Sequence, residues 1–162
     1  MIITTYNEER NIAECIKSVL WADEILVVDS YSNDNTLEIA KTFPVTILQR
    51  EYFGSAAQKN WSMDQVQNHW VLILDADERV QQALARELRS LLLDRPQFNV
   101  ACLRRPTHLA YRTIRHSGWS TDKVIRFFAK SKGRYPNRRV HTDLDISGPI
   151  PTLRNPLVHY TY

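Results

Sequence analysis

Residues 70–79, WVLILDADER, form a short apolar run that ends directly in two aspartates, Asp75 and Asp77. A run of this length between polar residues is typical of a strand that is buried on both faces. A second run, EILVVD at residues 24–29, has the same form and ends in Asp29. Two such strands predict a parallel sheet that is covered by helices on both sides.

The segments between the apolar runs have the spacing of amphipathic helices. Residues 9–21 place apolar side chains on one helical face, and Asn7 is the predicted N-cap of that helix. In chain order, strands and helices alternate at residues 2–5, 9–21, 24–29, 35–42, 45–49, 54–67, 70–74 and 80–92. We therefore predict an α/β fold with a mostly parallel central sheet.

The pattern changes after Arg95-Pro96, although no linker divides the chain. Strands are predicted at residues 100–104 and 124–129, with a polar and aromatic stretch between them. We therefore expect one domain with two halves: residues 1–97, and a mixed, partly antiparallel half at residues 98–162 that completes one side of a cleft.

Charge divides between the same two halves. Residues 1–97 carry 9 basic and 15 acidic residues, a net charge of −6, and residues 98–162 carry 12 basic and 3 acidic residues, a net charge of +9. A basic half favours an anionic partner, such as a phosphorylated substrate or a lipid surface, although a solvated basic face would have the same composition. Nucleic acid is disfavoured, because the basic residues form neither a recognition helix nor an aromatic sheet motif.

Composition also indicates the compartment. The 162 residues, 43% of them hydrophobic, suffice for one domain with a packed core. No apolar run approaches the roughly 18–20 residues that span a bilayer, and we find no signal peptide. Cys15 and Cys102 both lie in apolar stretches and are expected to be reduced thiols. These features predict a cytoplasmic protein.

The aspartates at the strand ends are the first functional signal. Ligands of parallel α/β sheets bind at the carboxyl ends of the strands. There Asp75 and Asp77 could bind Mg²⁺ or Mn²⁺ and, through the metal, a diphosphate leaving group. Asp29 and the polar loop at residues 30–34 could bind a base and a ribose. The alternatives are an acidic cluster at a helix N-terminus for Asp75 and Asp77, and a helix-capping turn for the loop.

Five motifs in a fixed order carry a resemblance to a known family. They are TTYNEERNI (4–12), ADEILVVDSYSNDNT (22–36), FGSAAQKN (53–60), VLILDADERV (71–80) and RHSGWSTDKVIRFF (115–128). Together they resemble the family-two glycosyltransferases of the GT-A fold, in particular the lipopolysaccharide core-biosynthesis glucosyltransferases. The resemblance implies a Rossmann-like three-layer sandwich that binds a UDP-sugar.

The resemblance also implies roles for individual residues. The positions that match the family's nucleotide-sugar site are Thr5, Tyr6, Glu8, Asp29, Lys59 and Asp75. Asp77, with Asp75, would hold the metal, and Asp77 would be the direct ligand. Such enzymes invert the anomeric centre in a single displacement, for which Asp122 would be the general base. The alternative for Asp122 is a structural ion pair with Arg126 or Lys123.

The acceptor side is expected to come from the second half. Arg115, His116 and Trp119 match an acceptor loop, in which Trp119 could stack on a sugar face. His141 could complete the metal site or contact a phosphate, although a lone histidine in a basic segment is more often structural. Four arginines could line the path of a phosphorylated acceptor or could equally form a solvated face: Arg104, Arg105, Arg112 and Arg115.

Some positions depart from the family pattern. Thr142 stands where many relatives have glutamate, and family members usually begin earlier and continue further. Our hypothesis is transfer of a hexose, with glucose from UDP-glucose as the favoured donor, onto a lipopolysaccharide inner-core or similar glycan. Such an enzyme could work at the inner face of the inner membrane. The alternative is a truncated, non-catalytic domain that binds a nucleotide or a glycan.

Overall fold

The computed structural model describes residues 1–94, 96–109, 112–113, 123–136 and 150–161. Its strands are β1 (Ile2–Thr5), β2 (Leu26–Asp29), β3 (Thr46–Gln49), β4 (Trp70–Asp75), β5 (Glu78–Val80), β6 (Val100–Arg104), β7 (Thr107–Leu109), β8 (Arg112–Thr113), β9 (Lys123–Ala129) and β10 (Leu157–Thr161). Its helices are α1 (Ile12–Val19), α2 (Thr36–Ala40), α3 (Ser55–Gln65) and α4 (Gln82–Leu93). Strands and helices alternate from β1 to β4, as the sequence predicts, and the short strand β5 then stands between β4 and α4.

The main sheet has the strand order β3-β2-β1-β4-β9-β6 within the described residues. The first four strands of this order are parallel, and β9 is antiparallel to both β4 and β6. Thr5 pairs with Asp29, and Thr4 pairs with Asp75. The strand-end aspartates therefore lie at one edge of the sheet, on either side of β1. The prediction of a mostly parallel α/β sheet is confirmed.

Apolar side chains cover both faces of this sheet. On one face, Ile3, Val27 and Leu74 pack in a cluster with residues of α1 and α4. On the other face, Ile2 and Ile73 pack in a cluster with residues of α3. Successive residues of a strand point to opposite faces, so these strands need an unbroken apolar run to be buried on both sides.

Helix α3 carries three polar side chains on its buried face, one of them a lysine. Gln58, Lys59 and Ser62 are buried there beside Ala56 and Met63. A polar group on a buried helix face needs a partner, since its desolvation otherwise costs free energy. Helix α3 thus brings a lysine to the sheet edge where the aspartates lie.

A second, smaller sheet has the strand order β5-β10-β7-β8 within the described residues. Strand β5 begins directly after Asp77 and pairs in antiparallel fashion with β10. In this register His159 lies opposite Glu78, and Val158 lies opposite Arg79. The last described strand of the chain therefore runs beside the aspartates.

Two details of the first half differ from the prediction. Asn7 is not an N-cap: α1 is capped at Asn11, and Asn7 has a left-handed backbone with φ of 54°. The Asn7 side chain instead accepts a hydrogen bond from the Asn33 backbone at 2.9 Å, which joins two loops of the carboxyl edge. Val80 belongs to β5, and α4 begins only at Gln82.

No helix among the described residues is both long enough and apolar enough to cross a membrane. Cys15 is buried and Cys102 is partly buried, and both are free thiols.

Candidate active site

A cleft of 590 Å³ opens at the carboxyl edge of the main sheet. Six of the residues predicted for the donor and metal sites line it: Thr5, Tyr6, Glu8, Lys59, Asp75 and Asp77. They come from β1 and the loop after it, from α3, and from the end of β4 and the turn after it. The fold thus gathers side chains that are up to 72 positions apart in sequence into one recess.

Asp75 is held by three neighbours. Its Oδ1 accepts a hydrogen bond from Thr4 Oγ1 at 3.0 Å and lies 3.9 Å from Lys59 Nζ. Its Oδ2 lies 2.5 Å from Arg126 Nη2. Burial raises the pKa of Asp75, but Arg126 and Lys59 outweigh this effect and hold the pKa well below its usual range. Asp75 is therefore a carboxylate at all physiological pH values.

A charge network lies behind Asp75. Arg126 Nη2 is also 3.5 Å from Glu78 Oε1, which in turn is 3.2 Å from Arg105 Nη1. The Glu78 side chain is fully buried, and its Oε2 accepts a hydrogen bond from the Asp75 backbone at 2.9 Å. Positive and negative groups alternate from Lys59 through Asp75, Arg126 and Glu78 to Arg105. Each buried charge thus has an opposite charge beside it, as burial in protein requires.

Lys59 supplies positive charge at the wall of the cleft. Its side chain is 8% exposed, and its Nζ lies 5.6 Å from the centroid of the Tyr135 ring, within range of a cation–π contact. Burial lowers the pKa of Lys59 to about 8, although Asp75 opposes the shift. Lys59 is therefore charged at neutral pH and begins to lose its proton in mildly alkaline solution.

Asp77 has a different environment. Its Oδ2 lies 3.0 Å from His159 Nε2, and this hydrogen bond raises the pKa of His159. Its Oδ1 is buried and has no hydrogen-bond partner within the described part of the chain. Because an unpaired buried carboxylate oxygen is costly, this atom is suited to a cation.

His159 is a site residue that the sequence analysis missed. It lies 82 positions after Asp77, in a strand that pairs with β5. The β-branched and aromatic residues in LVHYT could have indicated a strand, but no local signal places that strand beside Asp77. Imidazole and carboxylate are both ligands of divalent metals, so the pair could hold one.

The described residues fit a metal site that a ligand completes. Among them, no group of three or more His, Cys, Asp or Glu side chains is arranged to hold an ion alone. Asp77 and His159 supply one carboxylate and one imidazole, and the orphaned Asp77 Oδ1 is the observation that favours a cation. Mg²⁺ and Mn²⁺ commonly take their remaining ligands from water and from substrate phosphates.

Thr5, Tyr6 and Glu8 bring the end of β1 and the loop after it into the lining of the cleft. The Thr5 side chain is buried, yet its hydroxyl has no hydrogen-bond partner within the described residues. Tyr6 is 57% exposed and lines the cleft, so its ring is accessible to a ligand. Glu8 accepts a hydrogen bond from Asn11 Nδ2 at 2.8 Å, and burial raises its pKa. This part of the lining offers a hydroxyl, a ring and a carboxylate to a bound molecule.

Asp29 is fully buried behind the cleft wall. Its oxygens accept hydrogen bonds from the Ser32 backbone at 2.9 Å, the Ser32 hydroxyl at 2.5 Å and Gln49 Nε2 at 3.1 Å. It therefore shapes the loop after β2, and Ser30 of this loop lines the cleft. In the same loop Asp34 accepts a hydrogen bond from the Thr36 backbone at 3.0 Å, at the start of α2, which favours the turn interpretation for Asp34.

The predicted acceptor residues and the predicted base lie outside the described residues. They are Arg115, His116, Trp119, Asp122 and His141. Of the neighbouring arginines, Arg104 is exposed, whereas Arg105 is partly buried against Glu78. Arg105 thus belongs to the charge network behind the cleft.

Comparison with known proteins adds to this geometry. Residues 1–154 match the family model described as glycosyl transferase family 2. The chain is 31% identical over 171 residues to an uncharacterised glycosyltransferase of Rickettsia typhi. That alignment covers 98% of this chain and 59% of the relative. It is 30% identical over 173 residues to the lipopolysaccharide core biosynthesis glycosyltransferase LpsC of Rhizobium meliloti. That alignment covers 98% of this chain and 61% of LpsC. The chain thus spans about three fifths of the length of these curated relatives.

Solved structures share the fold. Staphylococcus aureus TarS 1–349 in complex with UDP-GlcNAc superposes with a TM-score of 0.67 at 16% identity, over 99% of this chain and 58% of that one. A second structure is glucosyl-3-phosphoglycerate synthase from Mycobacterium tuberculosis in complex with Mn²⁺, UDP and glucosyl-3-phosphoglycerate. It superposes with a TM-score of 0.53 at 21% identity, over 67% of this chain and 42% of the synthase chain. Both are glycosyltransferases of the GT-A fold, and this chain has the same fold.

Proposed function

The chain belongs to glycosyl transferase family 2, and on that premise we propose that it moves a hexose from a UDP-sugar to a sugar acceptor. The observation that carries the proposal is the cleft at the carboxyl edge of the sheet. It combines the paired aspartates, the Lys59 ammonium and an exposed aromatic ring, Tyr6, in one recess of 590 Å³. A nucleoside diphosphate sugar offers a diphosphate and a base that match these groups.

Support for the donor class comes from the solved structures of the same fold. TarS is seen with UDP-GlcNAc, and the mycobacterial synthase is seen with UDP and Mn²⁺. We therefore favour a uridine diphosphate donor, with glucose as the hexose, and Mg²⁺ or Mn²⁺ as the metal.

Support for the acceptor comes from a curated relative and from charge. LpsC, at 30% identity, is named for lipopolysaccharide core biosynthesis. The net charge of +9 in residues 98–162 suits a phosphorylated, anionic glycan. We propose a lipopolysaccharide inner-core sugar or a similar lipid-linked glycan, which the enzyme would meet at the cytoplasmic face of a membrane.

Asp77 and His159 would hold the metal, which when bound offsets the negative charge that develops on the leaving diphosphate. Lys59 adds a second positive charge to the same recess. Thr5, Tyr6 and Glu8 bind and orient the nucleotide, and Asp29 keeps the loop around Ser30 in place.

In the transfer itself, an acceptor hydroxyl oxygen attacks the anomeric carbon while the bond from that carbon to the diphosphate oxygen breaks. Asp122 takes the hydroxyl proton as a general base, and the anomeric centre is inverted. UDP leaves as the second product.

The direct test measures UDP release from a panel of UDP-sugars with Mn²⁺ and a lipopolysaccharide core acceptor. We expect glucose transfer, loss of turnover in Asp77→Ala, and a severe fall in turnover in Asp122→Asn, with both variants folded by circular dichroism. Full turnover in Asp77→Ala would refute the metal assignment, and full turnover in Asp122→Asn would place the base elsewhere. Binding of UDP and Mn²⁺ by calorimetry without any turnover would support a non-catalytic binding domain instead.

A further inference from the structure

We propose that Arg126 is a positioning residue that keeps Asp75 out of the metal's coordination shell, so that Asp77 alone of the two aspartates binds the cation. The inference rests on the proposed function and concerns how the paired aspartates divide their work. It starts from an asymmetry between two carboxylates that stand only two positions apart at the end of β4.

The Asp75 carboxylate is already neutralised on both oxygens. Oδ2 lies 2.5 Å from a guanidinium nitrogen of Arg126, and Oδ1 lies 3.0 Å from the Thr4 hydroxyl and 3.9 Å from the Lys59 ammonium. A metal ion that approached Asp75 would meet two cations that hold the same carboxylate. Repulsion between two unit positive charges about 4 Å apart is several times the thermal energy even at an effective dielectric constant of about 20, and a divalent ion increases it.

Arg126 cannot easily turn away from Asp75. Its side chain is 7% exposed, and it is not among the residues that line the cleft. Oε1 of the fully buried Glu78 lies 3.5 Å from the same Arg126 nitrogen and 3.2 Å from Nη1 of Arg105. Rotation of Arg126 would take a cation away from the fully buried Glu78, which is strongly unfavourable, and from Asp75, whose side chain is 39% exposed at the cleft.

Asp77 shows the opposite pattern. It has no arginine or lysine in an ion pair within the described residues, and its one polar side-chain partner there is His159 at 3.0 Å. Its Oδ1 is buried and has no hydrogen-bond partner in the same part of the chain. Of the two aspartates, Asp77 is therefore the one with ligand capacity left.

The consequence is a site with two kinds of positive charge. The divalent cation binds on the Asp77 side. On the Asp75 side the positive charge comes from Arg126 and Lys59, which neutralise the Asp75 carboxylate. Asp75 then serves to hold Lys59 and Thr4 in place at the cleft wall. Removal of Arg126 should free Asp75 to join the metal and so should tighten metal binding.

The test measures the dissociation constant of Mn²⁺ in the presence of saturating UDP, from the electron paramagnetic resonance signal of free Mn²⁺. We expect Arg126→Met to bind Mn²⁺ about tenfold more tightly than the wild type, because a second full carboxylate becomes available. The double variant Arg126→Met/Asp75→Asn should return to the wild-type value. Glu78→Gln breaks the same network but leaves Arg126 on Asp75, so we expect no tightening there.

Arg134→Met is the matched control, because Arg134 also pairs with an aspartate, Asp64, but at an exposed position away from the cleft. It should leave the Mn²⁺ constant unchanged. If Arg126→Met is folded and binds Mn²⁺ no more tightly than the wild type, the inference is wrong.

A second arm does not depend on the folding of Arg126→Met. Asp75→Asn should keep the Mn²⁺ constant within about twofold of the wild type, whereas Asp77→Asn should weaken it by more than about tenfold. Equal losses in the two variants would overturn the inference and leave the proposed function intact. If the wild type itself binds no Mn²⁺ with UDP, the metal-dependent function fails and this inference fails with it.

Discussion

Thr5→Val should make the empty protein more stable and a weaker binder of UDP. Thr5 is 5% exposed, and its hydroxyl has no hydrogen-bond partner within the described residues. Valine has the same shape and the same preference for a strand, so the substitution removes the hydroxyl and adds neither a cavity nor a clash.

The magnitude follows from the state of that hydroxyl. A buried polar group without a partner costs about 1–3 kcal/mol. With the lower figure, the free energy of unfolding of the ligand-free protein should rise by about 1 kcal/mol, which is about 2–4 °C in Tm for a chain of this size. If a donor supplies the missing partner, the loss of that hydrogen bond should weaken UDP binding by about 1 kcal/mol, or roughly fivefold.

Two measurements separate these effects: thermal unfolding of the ligand-free protein, and calorimetric titration with UDP and Mn²⁺. Thr4→Val is the matched control, because Thr4 donates a hydrogen bond to Asp75 at 3.0 Å and its loss should lower the Tm. A lower Tm in Thr5→Val, together with unchanged UDP affinity, would refute both the unsatisfied hydroxyl and its proposed role in binding.

Three further predictions concern charge and packing. Since burial lowers the pKa of Lys59 to about 8, UDP affinity should fall between pH 7 and 9, and Lys59→Arg should retain it; equal affinity at both pH values in the wild type would contradict this. The hydrogen bond to Asp77 raises the pKa of His159, so the pair stabilises the metal-free fold below about pH 6.5 and loses this effect as the pH rises past the raised pKa. His159→Gln should therefore lower the free energy of unfolding in urea more at pH 6 than at pH 8.5, and an equal loss at both would count against the pair. Gly133→Ala would place a Cβ in steric overlap with the Phe128 ring, so we expect it to destabilise the fold by about 1–3 kcal/mol. An unchanged Tm would contradict this and would show that the ring can move aside without cost.

The sequence predicts the parallel part of the fold well because its strands are buried on both faces. In a chain with helical segments between them, continuous apolar runs such as those of β2 and β4 are typical of parallel strands with helices on either side. Strands β5 and β10 were not predicted, because β5 is very short and β10 depends on pairing with strands that are distant in sequence. Glu78–Val80 is only three residues long, and Leu157–Thr161 gains its place from pairing with β5 and β7, which are far away in sequence.

Local sequence pattern predicts only the aspartates of the candidate site, whereas Thr5, Tyr6, Glu8 and Lys59 are predicted from the family resemblance. Asp75 and Asp77 stand at the end of an apolar run, so their position at a strand end follows from the sequence. The placement of Arg126 against Asp75 and of His159 against Asp77 depends on how β9 and β10 pair with the first half of the chain. No spacing rule connects residues that are 51 or 82 positions apart.

The insertion of β9 between β4 and β6 has a consequence for folding and for protein engineering. Because residues 127–129 pair with residues 70–72, a fragment that stopped at residue 97 would leave β4 with an unprotected apolar border. Such a border invites association between chains. We expect that fragment to self-associate, and sedimentation velocity would reveal it. We therefore expect that residues 98–162 cannot be exchanged as an independent module, and that a hybrid protein would have to keep β9 together with residues 1–97.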